Sequence, residues 1–471
     1  MTESSSSKHS SNAASDAVRA PRSQAEQKTV PCTPRSARPW GEMDGIFPDS
    51  LSGIVFALEG TGGATVLLNG PTGCKYYHSS LSDSQTFRMF DFDPLSFPMK
   101  WYFGQPRVPS TYLDNADYVY GAEAKLAEAL DYFRDQDSIK MICIVNTPGA
   151  ALIGDDLDRI AAEHLGKKPF LTVETPGYST DICHGFETGI RALVDAAVPA
   201  EGGDKARPTL KRVNLLGMPL YLRNYTGDVA EMRRLCELCG LEVGCVLGGG
   251  SSLDDAAHIG EACLNVVMHP EYGMETARYL QERFGTPFFA CDGAPVGFGA
   301  TEHAFSRIAE LAGGDAGPLL AESRKARMRS FSYISRLNSL TGLPKGVPFA
   351  VEGSYSELYA TTSFLTDYLA MVPVALWPVY EQSDCCKTRL EELLDSLGAR
   401  DTLGRDPEQC DPELVFASGS TIARLQLEER QFAGIETMLP TLGYLDVVPK
   451  TYLGVNGALQ LVEMVLNGLK F

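Results

Sequence analysis

No stretch of the 471 residues is apolar for long enough to span a bilayer. The C-terminal "GALQLVEMVLNGLKF" is short and patterned as an amphipathic helix. The N-terminus lacks the apolar core of a secretory signal, so a cytoplasmic protein is expected, with no membrane partner. No G-x-x-x-x-G-K-[ST] motif occurs. The Gly-rich turns "LEGTGGATV" and "LGGGSSLDD" do not fit G-x-G-x-x-G in a strand-turn-helix frame followed by an acidic residue, which disfavours intrinsic nucleotide hydrolysis. Basic charge is also scarce. The net charge is −19; the first forty residues hold six Lys/Arg and three Asp/Glu, a net of +3, so the remainder carries −22. Such an acidic body argues against nucleic-acid binding, which requires phosphate neutralisation. Twelve cysteines are scattered, and Cys236 and Cys239 form a C-x-x-C with no second pair to complete a zinc site. In a cytosolic chain they are expected to be mostly reduced and buried.

What is present is a β-then-α rhythm from about Gly53 to the end. Apolar runs of strand length recur as "ATVLLN", "MICIVN", "FLTVET", "VNLLG", "VGCVLG", "LNVVM", "PFAVEG", "VPVALWP" and "LVFASG". Helical patterns such as "AEAKLAEALDYFRD", "GDVAEMRRLCELCG", "GMETARYLQERFG" and "TRLEELLDSLG" follow many of them. Near-continuous apolar strands alternating with helices predict parallel sheets covered on both faces. There are too many strands for one comfortable sheet. Two polar, Gly-rich stretches, "AVPAEGGDKARPT" and "AGGDAGP", divide them. The expected fold is therefore α/β, with three Rossmann-like units of parallel sheets flanked by helices. A Ser/Ala-rich arm (1–40), disordered or extended, precedes units at 41–208, 209–317 and 318–440. A C-terminal segment (441–471) is expected to return to the first unit.

Cys74 stands at the top of a strand, after a Gly-Pro-Thr-Gly turn and at the start of a helix. In doubly wound sheets ligands gather at the carboxyl ends of strands. The positive end of a helix favours a thiolate, the form that binds iron–sulfur clusters. The ordinary alternative is a structural thiol on a tight turn.

"NGPTGC" resembles the His-Gly-Pro-x-Gly-Cys turn of the nitrogenase component 1 family. Further resemblances follow in that family's order: "NADYVYGAEAKLAEAL", "ALIGDDLDRIA", "VETPGYSTDICHGFETG", "NLLGMPLYLRNYTGDVAEMRRLCELCGLEV", "LNVVMHPEYGMETARYLQERFGTPFF" and "YLGVNGALQLVEMVLN". They cover the chain from about Leu51 to its end. The family comprises nitrogenase, its cofactor-assembly scaffolds, the light-independent tetrapyrrole reductases and related reductive enzymes. The resemblance implies paired homologous subunits (a heterotetramer or homodimer) and an ATP-hydrolysing reductase partner. It also implies an interface iron–sulfur cluster, [4Fe–4S] or P-cluster-like. An oxidoreductase subunit is the leading expectation. A cofactor-assembly scaffold of the same fold and a cluster-free regulatory partner protein are the alternatives.

Residue by residue, the resemblance places the family's second cluster cysteine at Cys74, with Gly73 beside it. Its third falls at Thr147-Pro148, and Cys143 lies inside the preceding strand. Its first, counted back without gaps, falls at Asp49, which is otherwise read as a helix N-cap before "SLSGIVFALEG". Cys32 is the alternative if a loop has been inserted. The family's turn histidine is Asn69 here, and His78, one turn after Cys74, is a candidate supporting partner behind the ligand or else a solvated residue. The active-site-cofactor cysteine falls at His269, and the C-terminal cofactor histidine has no counterpart. A complete iron–molybdenum site is therefore not expected. If functional, His269 would line the substrate cavity as proton donor or metal ligand.

Overall fold

Strands buried on both faces need apolar side chains on both, and parallel strands need a crossover between them. In the computed structural model every apolar run named above becomes a parallel strand. The structure describes residues 48–85, 108–174, 180–198, 209–379, 384–443 and 446–469. Cys32, the N-terminal arm, most of the stretch 197–209 and residues 86–107 lie outside them.

The first unit contains α1 (Ser50–Glu59), β1 (Ala64–Asn69), α2 (Thr72–Gln85), α3 (Asn115–Tyr120), α4 (Glu123–Arg134), β2 (Met141–Asn146), α5 (Pro148–Ala151), α6 (Leu157–Leu165), β3 (Phe170–Glu174) and α7 (Ile182–Ala197). The second runs through β4 (Thr209–Leu216), α8 (Tyr225–Leu238), β5 (Glu242–Val246), α9 (Leu253–Ala257), β6 (Ala262–Val267), α10 (Met274–Phe284), β7 (Phe288–Ala290) and α11 (Phe298–Ala312). The third holds α12 (Gly317–Thr341), β8 (Pro348–Gly353), α13 (Tyr355–Leu369), β9 (Val372–Pro378), α14 (Asp384–Leu397), β10 (Leu414–Ser418), α15 (Gly419–Leu427), β11 (Ala433–Met438) and α16 (Gly454–Gly468). Their sheets have the orders β1-β2-β3, β5-β4-β6-β7 and β11-β10-β8-β9, and every pairing is parallel.

The apolar pattern does not reveal β7 and β11. Both pair on one side only, at sheet edges. The first is three residues long, and the second interrupts its run with Gly434 and the buried Glu436.

Close backbone approach fixes the first junction. α1 crosses α7 so tightly that a Cβ on Gly53 would lie 2.1 Å from the Ile182 carbonyl oxygen, and one on Gly185 1.8 Å from that of Ser50. The two Gly-rich turns meet in the same way, and a Cβ on Gly60 would lie 2.0 Å from the Gly248 carbonyl oxygen. The Gly250 amide donates to the Gly60 carbonyl at 2.8 Å. These turns join one unit to the next, which accounts for their glycines without a phosphate.

Buried carboxylates complete the junctions. Glu187 on α7 accepts the Glu275 and Thr276 amides at the start of α10. Glu271, beyond β6, accepts the Ser356 amide of α13 at 2.6 Å. Asp228 on α8 accepts the Tyr452 amide at 2.8 Å and the Leu453 amide at 3.2 Å, just before α16. Each carboxylate meets N–H groups that a helix cannot pair internally.

The same bonds correct the expected course of the C-terminal segment. α16 packs mainly on α8, α11 and α12 rather than returning to the first unit. Its buried face, including Val455, Ala458, Leu461, Val462 and Val465, belongs to the core shared by the second and third sheets. Asp228 and Glu231 hold its N-terminus there.

The junctions can be tested by mutation and by pH. Gly185→Ala should lower the unfolding free energy by about 2–3 kcal/mol in urea melts, because backbone on the facing helix cannot move aside. Burial pushes Glu187 up to about 7 against the pull of its amide partners. The folded state therefore keeps a proton that the unfolded chain releases near the ordinary glutamate value of 4.5. Stability should be highest below that value and fall by on the order of 3 kcal/mol as pH rises to about 7. Glu187→Gln should reduce the slope between unfolding curves measured at pH 5 and pH 8, leaving the shares of Glu271 and Asp228, which burial also raises.

Candidate functional site

β1 and β2 both end in asparagine, and the two side chains meet at the carboxyl edge of the first sheet. Asn69 donates to Asn146 at 3.1 Å, and Thr111 donates to Asn69 at 2.9 Å. Asn146 in turn donates to Glu174 at 3.0 Å. Thr111 Oγ1 also accepts the Gly70 amide at 3.0 Å, which fixes the turn that follows β1.

That turn delivers Cys74 to the first turn of α2, half-buried, with Thr72 and Gly73 exposed beside it. A Cβ on Gly73 would meet nothing within 4 Å, so this position of the turn has room for a side chain. His78, four residues on, lies on the same face of α2 and is fully buried rather than solvated.

Asp49 meets His78 from α1. Its side chain caps that helix by accepting the Ser52 amide at 3.0 Å, and the same oxygen accepts His78 Nδ1–H at 3.0 Å. Its Oδ2 is buried with no hydrogen-bond partner among the described residues. Burial alone would push the His78 imidazole down, but the Asp49 carboxylate and Cys74 hold it above its ordinary value. Burial would likewise raise Asp49, yet His78 and Ser52 hold it below the usual carboxylate range. Carboxylate and imidazole thus form a bonded pair, one helical turn beyond Cys74 on α2.

A second group lies inside the molecule. His269, at the end of β6, is buried and donates Nδ1–H to the Gly217 carbonyl at 2.8 Å. Burial lowers its affinity for a second proton, with Glu357 opposing, so the ring is neutral and Nε2 is an acceptor. With Arg223, Asp228, Glu352, Glu357 and Tyr452 it lines a cavity of about 40 Å³, room for one or two waters.

The profile of the nitrogenase component 1 type oxidoreductases matches residues 50–470. The chain belongs to that family. A subunit of the light-independent protochlorophyllide reductase of Bradyrhizobium sp. (strain BTAi1 / ATCC BAA-1182) is 32% identical over 203 residues, 41% of this chain and 38% of that relative. Nitrogenase iron-molybdenum cofactor biosynthesis protein NifE of Clostridium pasteurianum is 26% identical over 255 residues, 53% of this chain and 50% of its own length. The chain therefore spans half or less of these curated relatives. The structure described as nitrogenase Cp1 at pH 6.5 superposes with a TM-score of 0.71 at 16% identity, covering 95% of both chains.

Within this component 1 fold the predicted site residues separate. Cys74, Gly73 and Asp49 belong to the edge group, whereas His269 belongs to the inner cavity. Thr147 is fully buried, caps α5 and packs on Gly70. Cys143 is sealed in the sheet core, and burial pushes its thiol up. Cys236 and Cys239 are both free and sit in the core. Among the described residues no three His, Cys, Asp or Glu side chains stand together as a metal site.

Sequence reasoning missed the Thr111–Asn69–Asn146–Glu174 ladder and the acidic lining of the cavity. The ladder did leave a signal, a polar residue closing each of two apolar runs, and Asn214 with Asn265 repeats the pairing in the second sheet at 2.9 Å. Asn69→Ala would leave the Thr111 hydroxyl and the Asn146 amide without their shared partner. It should cost about 1–3 kcal/mol in urea unfolding.

Proposed function

We propose that the chain is one subunit of a paired component 1 type oxidoreductase. It accepts electrons from an ATP-hydrolysing iron–sulfur reductase, through an interface cluster of [4Fe–4S] or P-cluster-like type, to reduce a substrate or metallocofactor. The observation that carries this reading is the half-exposed Cys74 in the first turn of α2, after the exposed Gly73 and one helical turn before His78, whose ring is bonded to the buried Asp49 carboxylate. The donor set suits a shared rather than a self-contained site. Cys74 is the thiolate donor, with Cys32 and the paired subunit supplying others. The orphaned Asp49 Oδ2 marks a buried polar position still to be met.

Such a cluster, when bound, supplies a one-electron carrier whose potential is set by burial and hydrogen bonds to sulfur. The rest falls to this chain's own residues. The asparagine ladder holds the turn, and α1 fixes Asp49. His269, neutral and with Nδ1–H committed to Gly217, can take up a proton in the inner cavity. Tyr76, Val119, Tyr120 and Leu152 expose apolar surface on loops and helices of the first unit, a composition suited to burial against a second subunit.

The similarity to NifE favours a second reading, a cofactor-assembly scaffold of the same fold. Reductase- and ATP-dependent electron uptake with repeated product release separates the two.

Iron and acid-labile sulfide on anaerobically purified protein test the main reading. Wild type should hold about four or eight iron atoms per dimer, and Cys74→Ala should lose them. Negligible iron in both, alone and copurified with a paired subunit, overturns it.

A further inference from the structure

We infer that the outer face of α12 is a docking surface for a second copy of this chain. The surface belongs to the third unit and shares no residue with the edge site, so it does not depend on a cluster.

The sequence marks this helix by charge. No Asp or Glu occurs between Glu322 and Glu352, whereas Arg324, Lys325, Arg327, Arg329 and Arg336 fall in one short stretch. These five cations lie in a body that carries −22, so the remainder of residues 41–471 carries −27.

Packing turns four of the five outward. α12 rests on α8, α11 and α16, and its buried strip is narrow: Leu319, Ser323, Ala326, Ser330 and Ile334, spaced three and four residues apart. Two hydrogen bonds anchor the strip. Ser323 donates to Glu302 at 2.6 Å, and the Ser330 and Tyr368 hydroxyls meet at 2.7 Å. Arg327 turns the same way and pairs with Glu302 at 3.2 Å. Arg324, Lys325, Arg329 and Arg336 are exposed and, among the described residues, in no ion pair.

Exposed cations alone need no partner, because water solvates them. The apolar side chains among them are a different matter. Met328 is 64% exposed, Phe331 63%, Tyr333 64% and Leu340 76%. Helical spacing puts Met328 and Phe331 in line with Arg324, and Tyr333 and Leu340 in line with Arg329 and Arg336. Clustered exposed apolar groups mark interaction surfaces, and Met, aromatic and Arg side chains are enriched where proteins meet.

Charge and area identify the occupant. A second α12 laid along the first would set cation against cation, so the receiving surface is acidic. The rest of a second copy supplies such a surface. A two-fold arrangement makes the contact twice, with each α12 lying on the acidic body of the other copy. The 25-residue helix is about 37 Å long and about 10 Å across, so each copy gives about 400 Å² as helix and about 400 Å² as receiver. About 800 Å² per partner is what a stable protein interface buries. An anionic membrane or a nucleic acid would instead repel the acidic remainder.

Sedimentation velocity on the full-length protein, in about 50 mM and about 500 mM NaCl, tests the docking. Cys74→Ala, which removes the proposed cluster ligand, should still sediment at twice the 51.1 kDa chain mass, and wild type at that mass or above. Association should weaken at the higher salt. Met328→Ala with Phe331→Ala should raise the dissociation constant about 10–100-fold. Arg324→Ala with Arg329→Ala and Arg336→Ala should also raise it and flatten its salt dependence. Circular dichroism checks the fold of each, and Phe331→Ala alone replaces a combined variant that does not fold.

A protein that is monomeric at both salt concentrations overturns the inference, as does a dimer that neither set of variants weakens. Binding of the monomer to phosphatidylserine vesicles or duplex DNA, lost in the arginine variant, overturns it by giving the face another occupant. Loss of iron in Cys74→Ala bears only on the cluster reading, so the two fail separately.

Discussion

A buried helix N-terminus presents N–H groups with no partner, and a buried carboxylate needs donors. In this protein the two requirements meet wherever one sheet joins the next. Glu187 reaches from the first unit to α10, Glu271 from the second to α13, and Asp228 from α8 to the start of α16. Either group alone would be costly to bury, and together they are satisfied. Burial nonetheless wins over the hydrogen bonds in setting their proton affinity, and all three carboxylates are raised. The junctions therefore carry a built-in sensitivity to pH near neutrality.

The edge site depends on the same arrangement at one remove. α1 is capped by its own Asp49, and its place is set by glycines that bring its backbone against α7. Because Asp49 is the N-cap of α1, that crossing determines where the carboxylate meets His78. On the other side, the asparagine ladder across β1 and β2 determines where the turn releases Cys74 into α2. Two supports thus hold the two sides of the helix start that carries Cys74.

The inner cavity has a different character. It is small and lined by acids, an arginine and a neutral histidine. Arg223, in its lining, pairs with Asp446 at 2.7 Å and donates to the Glu436 carbonyl. Its location among β6, β8 and the N-terminal end of α8 is the convergence of strand ends where α/β folds gather ligands.

The class of fold was legible in the order of residues alone. Apolar runs with helices between them can be satisfied only by parallel sheets covered on both faces, and the division into three sheets followed from the number of runs. Two of the six edge strands, β7 and β11, escaped because an edge position tolerates Gly434 and Glu436 and needs little length. The place of Cys74 was legible too, since the Gly-Pro-Thr-Gly turn after an apolar run delivers it to the start of a helix. Partnership, in contrast, came from packing. Asp49 could be read as a cap or a ligand, and His78 as a solvated or a supporting residue. Only the packing of α1 beside α2 joins them, across 29 positions of chain. The C-terminal helix likewise showed its apolar stripe in sequence but not its partner, since a stripe says that a face is buried and not against what. That answer came from Asp228 and Glu231, more than 220 residues away, because contacts between distant segments leave no period in either one.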